Sequence, residues 1–297
     1  MVDRRDTMND VSVIGCGGIG TAFVETLAGE GVNVIAWNRT REKAEALAGK
    51  QVEVADSPGD ALEASRTTLC CVSDHPTMMD ILEDASDRID GTTIIGVSFA
   101  TPEQATEANA FMQDFDGHYL DMAVLAYPRL VGTDTGHFFI AGDSRAYEAA
   151  RSILDHLGTV TYIDGPPGSA FLRESVVFLP FLPMAVSMVQ SAHIAEAMDI
   201  PLAWVGERFR ALYPAFIDIT FETIQSGMDP ADPANVDASV QVWSAGAEEY
   251  ACFLDEMGLD TGMYEALHRL FEAGVADGRG DHDWVSVTEL RADQPSS

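Results

Sequence analysis

Three glycines and one carboxylate carry the chemistry that can be read from this chain. Gly15, Gly17 and Gly20 stand in "VSVIGCGGIGTAF" as GxGxxG, after an apolar run of strand character and at the opening of a helical pattern. That context gives the spacing its meaning. Glycine at 15 permits a tight turn, at 17 it lets a pyrophosphate approach the backbone, and at 20 it allows close helix packing, while the helix N-terminus favours phosphate charge. Gly18 and Ile19 complete the loop. The next strand pattern, "VNVIAW", ends at "NRTREK". A site specific for NAD places an acid here for the ribose hydroxyls, whereas this one offers Asn38, Arg39, Thr40 and Lys43. Arg41 and Lys43 fall in the first turn of the following helix, where the macrodipole disfavours cations unless an anion joins them. The cluster reads as a 2′-phosphate site, and the cofactor as NADPH; the plainer alternative is an N-capping Thr40 and a solvated basic face. Val72 and Ser73 after "LCC", and Ser98 after "IIGV", stand at carboxyl ends of strand patterns, where ligands of such sheets bind.

The carboxylate is Glu174, in "GSAFLRESVVFLP". The stretch opens on glycine, runs apolar at helical spacing and places Arg173 beside the acid. Neighbouring helix positions point about 100° apart, so both cannot be aimed equally at one atom. Two readings stand at this point, a solvated or paired acid and one that faces a reacting group.

Positioning these residues falls to eight apolar runs, "VSVIG", "VNVIAW", "VEVA", "TTLCCVS", "TTIIGVS", "YLDMAVL", "HFFIAG" and "VTYI", most of them separated by helical patterns. Such alternation predicts an α/β fold, a doubly wound parallel sheet with helices on both faces. "IDGPPGSA" punctuates the chain, and beyond it come only helical patterns, at about residues 168–198, 201–225, 235–257 and 261–278. The expected organisation is a Rossmann domain over residues 1–163, then a long interdomain helix and an all-α domain over 164–297. Pro180 and Pro183 predict a kink near residue 180.

Composition bounds the partners. Forty-six per cent hydrophobic residues and a mean hydropathy of +0.02 suit a globular protein. No secretory signal is visible in "MVDRRDTMND", and "VVFLPFLPMAVSMV" is short for a span and broken by proline, so a soluble, cytoplasmic protein is expected. Cys16, Cys70, Cys71 and Cys252 show no CxxC or disulfide-framework spacing and read as reduced core residues. The histidines have no paired spacing, and "GDHDW" reads as a polar loop, so no metal is expected. A formal charge of −31 disfavours nucleic acid and anionic lipid. Lys43 and Lys50 are the only lysines, and acid excess with so little lysine resembles proteins that work in molar salt, a halophilic composition.

Several segments together resemble the imine reductases, NADPH-dependent relatives of the β-hydroxyacid and 6-phosphogluconate dehydrogenases. They are "VIGCGGIG", "WNRT", "ATPEQA", "YLDMAVLAYPRLVGT" and "GVADGRGDHDWVSVTELRA". The resemblance runs from about residue 10 to 291. It implies a homodimer whose subunits exchange helical domains around small-molecule imine substrates. Where β-hydroxyacid dehydrogenases carry a lysine early in the interdomain helix, imine reductases use aspartate or tyrosine. Registering Pro167 and Gly168 on the family's proline and glycine places Glu174 on that aspartate, as proton donor to an imine or anchor for an iminium cation. The resemblance also marks departures. The family's asparagine becomes Gly96 and its threonine Ser98, and Leu182 stands where some relatives have tyrosine. Met122 and Trp243 are pocket candidates by position. A β-hydroxyacid dehydrogenase reading would require a cation at the site, from Arg173 or Arg129, and an NADP-binding sensor without turnover is a third reading.

Overall fold

The structure, a computed structural model, describes residues 9–289, so the segment "RADQPSS", expected to be a loose tail, lies outside the described residues. Two compact units divide between Pro180 and Phe181. The break falls later than the expected one at 163/164.

The first unit is built on all eight expected strands: β1 (Val11–Ile14), β2 (Val34–Trp37), β3 (Val52–Val54), β4 (Thr67–Cys70), β5 (Thr93–Gly96), β6 (His118–Leu125), β7 (Thr133–Gly142) and β8 (Gly158–Ile163). They form one sheet in the order β3-β2-β1-β4-β5-β6-β7-β8. The chain winds outward from β1 to β3, returns, and winds the other way from β4, which leaves the switch point between β1 and β4. One pairing departs from the expected parallel sheet, because β6 and β7 run antiparallel. The link from Leu125 to Thr133 is too short for the crossover of a dozen or more residues that a parallel pair requires.

Both faces are covered. One carries α1 (Gly18–Gly29) and α6 (Ser144–Leu154), packed through Phe23, Val24, Leu27, Tyr147 and Leu154 against Val13, Val34, Leu120 and Phe138. The other carries α3 (Pro58–Glu63), α4 (His75–Asp84) and α5 (Pro102–Gln113), with Leu62, Met78, Leu82, Ala108 and Met112 against Ile14, Ile35, Cys70, Ile94 and Tyr119. The "ATPEQA" motif is the start of α5. Thr101 accepts from Gln104 N, Gln104 Oε1 accepts from Thr101 N, and Pro102 follows the cap where no donor is needed. A short α2 (Arg41–Glu45) follows β2.

The helical run predicted from residue 168 is interrupted at Leu179 and Pro180, giving α7 (Ser169–Phe178) and α8 (Phe181–Ala197). Pro183 falls in the first turn of α8, where its missing N–H costs nothing. Helix α7 belongs to the sheet unit because Ala170 is fully buried against Ala123 and Ala141, three small side chains that bring helix and strands close together. That packing is why the unit boundary lies after Pro180. By length and composition alone, Ser169–Ala197 is apolar enough to cross a membrane, with a mean hydropathy of 1.6 in its best window.

The second unit contains α8, α9 (Leu202–Ser226), α10 (Val240–Glu256) and α11 (Gly262–Gly274), with a small core of Val240, Ala247, Phe271 and Val287. In "GDHDW", Asp283 is buried and its carboxylate accepts from the backbone of Asp237, Ala238 and Val285. It is a structural anchor between loop and helix. Cys16 and Cys70 are core residues as expected and Cys71 is half-buried, but Cys252 is exposed on α10 rather than part of the core.

Candidate active site

At the switch point the backbone of the glycine loop is tied to both neighbouring strands, with Gly15 N donating to Trp37 O (2.8 Å) and Cys71 N to Ile14 O (2.7 Å). Gly15 adopts φ +98°, and a Cβ there would strike the Cys71 carbonyl. A Cβ on Gly20 would overlap the Gly15 carbonyl oxygen, so α1 can start this close to β1 only with glycine at 20. Gly17 is different: a Cβ on it would meet nothing within 4 Å. It is the N-cap of α1 and offers no side chain to the first N–H groups of that helix. Open space beside an uncapped helix N-terminus is what a pyrophosphate requires. A Cβ on Gly18 would touch Pro128 at 3.2 Å, so Gly18 is set by packing.

A cleft of about 400 Å³ runs along this edge, lined by Gly15, Gly17, Asn38, Arg39, Thr40, Lys43, Val72 and Ser73 among the expected residues. Trp37, Cys71, Thr77, Asp80, Ile81 and Asp84 complete it. The polar groups are unequally committed. Asn38 Oδ1 accepts from Cys16 N (2.8 Å) and its Nδ2 donates to Thr40 O (2.8 Å), so this side chain braces the two loops together. Arg41 is held by Glu45 and Asp56. Arg39 and Lys43, by contrast, make no ion pair among the described residues, and Thr40 is the N-cap of α2 with no cap bond from its side chain. One hydroxyl and two cations therefore stand uncommitted where a 2′-phosphate would lie. The residues fit NADPH.

A second cleft, of about 250 Å³, reaches the glycine loop at Ile19. It is lined by Ile19, Val97, Ser98, Phe99, Ala100, Met122, Val124, Phe171 and their neighbours, together with Asp121 and Glu174. Ser98 is buried and its Oγ has no partner. Met122 is both core and cleft wall. Glu174 is 5% exposed and lines the cleft, while Arg173 next to it is exposed and does not. Burial, and then the nearby Asp121 charge, push the Glu174 carboxyl above the usual range. Arg129 lies over the Tyr127 ring at 5.3 Å. The lining holds no cation.

Gly96 has a local explanation. The Tyr119 phenol from β6 occupies the space that a side chain at 96 would fill. Leu182 and Trp243 belong to the second unit, Leu182 exposed and Trp243 stacked on Trp284 at 4.8 Å. Asp121 and Phe171 are cleft residues that motif reasoning passed over. For Asp121 the signal was present, a lone acid in the middle of the apolar strand "YLDMAVL".

Residues 10–165 match the family model of the NAD binding domain of 6-phosphogluconate dehydrogenase. The chain belongs to that family. Along its length it is 23% identical to the NADPH-dependent reductive aminase of Aspergillus oryzae, over 94% of this chain and 96% of the relative. A Streptomyces aurantiacus imine reductase superposes with a TM-score of 0.84 at 27% identity, covering 96% of this chain and all of the other. An imine reductase from Myxococcus stipitatus, solved with NADP+, shares the fold at TM-score 0.86 and 23% identity, over 95% and 99% of the two chains.

Proposed function

We propose that this member of the family is an NADPH-dependent oxidoreductase that reduces the C=N bond of imines or iminium ions, cyclic ones included. The observation that carries the reading is a pair of clefts that each reach the glycine loop, one with the uncommitted Arg39, Thr40 and Lys43, the other with a buried acid and no cation. The likeness along nearly the whole chain to a reductive aminase and to imine reductases supports it.

A bound reduced nicotinamide would supply the hydride. The chain's own work is distinct from that. Ile19, Val97, Met122, Val124 and Phe171 keep the reacting carbon out of water. Ser98 brings an unpartnered hydroxyl to the carboxyl end of β5. Glu174, with its carboxyl held above the usual range, can give its proton to an imine nitrogen or, once ionised, balance an iminium charge. A carbonyl substrate gains nothing from the ionised form, which would repel its developing alkoxide, so only the protonated Glu174 could serve it; an iminium ion is served by the ionised form as well.

The active form is a homodimer. The face that supports this is α9, on which Trp204, Leu212, Phe216, Ile219, Phe221 and Ile224 are all at least half exposed and no residue is buried. An apolar helix with no covering layer is a surface for a second copy, and exchange of the helical units would cover it. In such an assembly Leu182 and Trp243 would wall the substrate cleft, and the cytoplasm of a salt-accumulating cell would suit the surface charge.

The test is purified protein with NADPH and a panel of cyclic imines and ketoacids, followed at the reduced-cofactor absorbance. Oxidation of NADPH with imines, lost in Glu174→Gln, is expected. Turnover of ketoacids in preference to imines would reject the reading.

A further inference from the structure

Two acids share the smaller cleft, and their surroundings are unequal. Asp121 lies in the middle of β6, 2% exposed. Burial raises its carboxyl above the usual range, and backbone donors oppose that rise: its Oδ2 accepts from Gly168 N (2.9 Å) and Phe171 N (3.3 Å), and the Ala170 N–H also stabilises its anion. All three donors belong to the opening turn of α7, the positive end of that helix dipole. Gly168 adopts φ +95°, and a Cβ on it would press on Pro102, so the turn is fixed from both sides. Glu174 stands six residues further along, on the cleft face of the same helix. It has no comparable set of donors. No other titratable group lines the cleft.

We propose that Asp121 is a positioning residue for Glu174, fixing where that side chain sits and which of the two acids carries the proton. The proposal rests on the reading of Glu174 as proton donor. Its physical basis is competition for one charge. Two carboxylates in one apolar cleft do not both ionise readily, and the anion settles on the one with donors. Three backbone N–H groups face Asp121, so Asp121 takes the charge and Glu174 the proton. The strand acid thereby sets the helix and the protonation state of the reacting acid together.

The experiment compares Asp121→Asn with the unaltered enzyme in the pH dependence of kcat for one cyclic imine, whose own titration is common to both. The amide oxygen of asparagine can still accept from Gly168 and Phe171, so the helix anchor is kept while the charge is removed. The alkaline limb is expected to move to lower pH, on the order of one unit, with NADPH affinity unchanged within twofold. An anchor of purely structural importance would lower activity at every pH and leave the limb in place. An unmoved limb together with an inactive Glu174→Gln overturns this proposal and leaves the proposed function standing; full turnover by Glu174→Gln overturns both. Should Asp121→Asn fail to fold, carboxyl ¹³C titration of both acids in the unaltered protein decides the matter: Asp121 must ionise first and Glu174 only at higher pH, and the reverse order overturns the proposal.

Discussion

Alanine at Gly17 and alanine at Gly20 should separate binding from folding within one motif. At Gly17 the backbone is extended (φ −76°, ψ −166°) and the added methyl meets nothing within 4 Å. Restricting the unfolded chain stabilises by about 0.4–1 kcal/mol. Alanine is a poorer N-cap than glycine by roughly the same amount. The two effects offset, and the unliganded Gly17→Ala protein should melt where the unaltered one does. At Gly20 the methyl overlaps the Gly15 carbonyl oxygen, with backbone on both sides and no flexible side chain to yield. Overpacking of that kind costs about 1–3 kcal/mol, and each kcal/mol lowers the melting temperature of a domain this size by about 2–4 °C.

NADPH narrows the gap between the two variants. A ligand present at about a hundred times its Kd stabilises the folded state by about 2.7 kcal/mol. A methyl at 17 stands where the pyrophosphate must approach; if it weakens binding a hundredfold, the same NADPH concentration contributes only about 0.4 kcal/mol. Thermal melts of both variants with and without NADPH, with calorimetric Kd values, measure all of these quantities. Gly17→Ala should keep its unliganded midpoint and lose nearly all of the NADPH-induced rise. A Gly17→Ala protein that melts several degrees low unliganded, or that keeps the full NADPH rise, refutes the reasoning.

Arg39→Ala and Lys43→Ala should each raise the KM for NADPH and leave the KM for NADH nearly unchanged, because only the 2′-phosphate distinguishes the two; equal loss with both cofactors in steady-state kinetics counts against the phosphate assignment. Of the acids among the described residues, only Asp121, Glu174 and Asp283 are buried, so almost all of that charge repels across a surface screened over about 10 Å at 0.1 M salt and about 3 Å at 1 M. The melting temperature should therefore rise with salt, and one that is flat from low to molar salt rejects the expectation. The Glu174 carboxyl is raised chiefly by its burial and then by Asp121. The native protein thus binds that proton more tightly than the unfolded chain, and the resulting stability is present in full below the usual carboxylate range and lost as pH rises through the native value. Glu174→Gln has no such loss. Its melting temperature relative to the unaltered protein should climb across that window and then level off, and a constant difference at every pH would show that Glu174 does not titrate there.

The sheet was legible because its signals are local. Each of the eight strands contains a short apolar run, and each carboxyl end that reaches a cleft, from Ile14 to Gly15 and from Gly96 to Ser98, can be found by counting along the chain. The unit boundary was not legible in the same way. "IDGPPGSA" is a true loop, but the helix after it packs onto the strands through Ala123, Ala141 and Ala170. Alanines so far apart in sequence give no sign that they will meet. The antiparallel turn from β6 to β7 follows from a loop length that strand patterns alone did not weigh. Asn38 shows what a motif leaves out, since it lines the cleft at the position expected for a cofactor ligand and its hydrogen bonds also brace two loops.

Glu174 could be named from sequence because a family register exists for it, yet its chemistry depends on residues that register does not mention. An acid on an apolar helix face is unremarkable until something decides its charge. Here that decision falls to β6. Asp121 points to the same side of the strand as Tyr119, and that phenol already fills the volume beside Gly96 that an asparagine would need. Simply restoring asparagine at 96 would therefore drive its side chain into Tyr119. The polar group missing at 96 and the acid present at 121 are both tied to one strand, the first excluded by Tyr119 and the second carried two residues further along. The proton inventory of the cleft is thus set from β6, with Glu174 as its outlet.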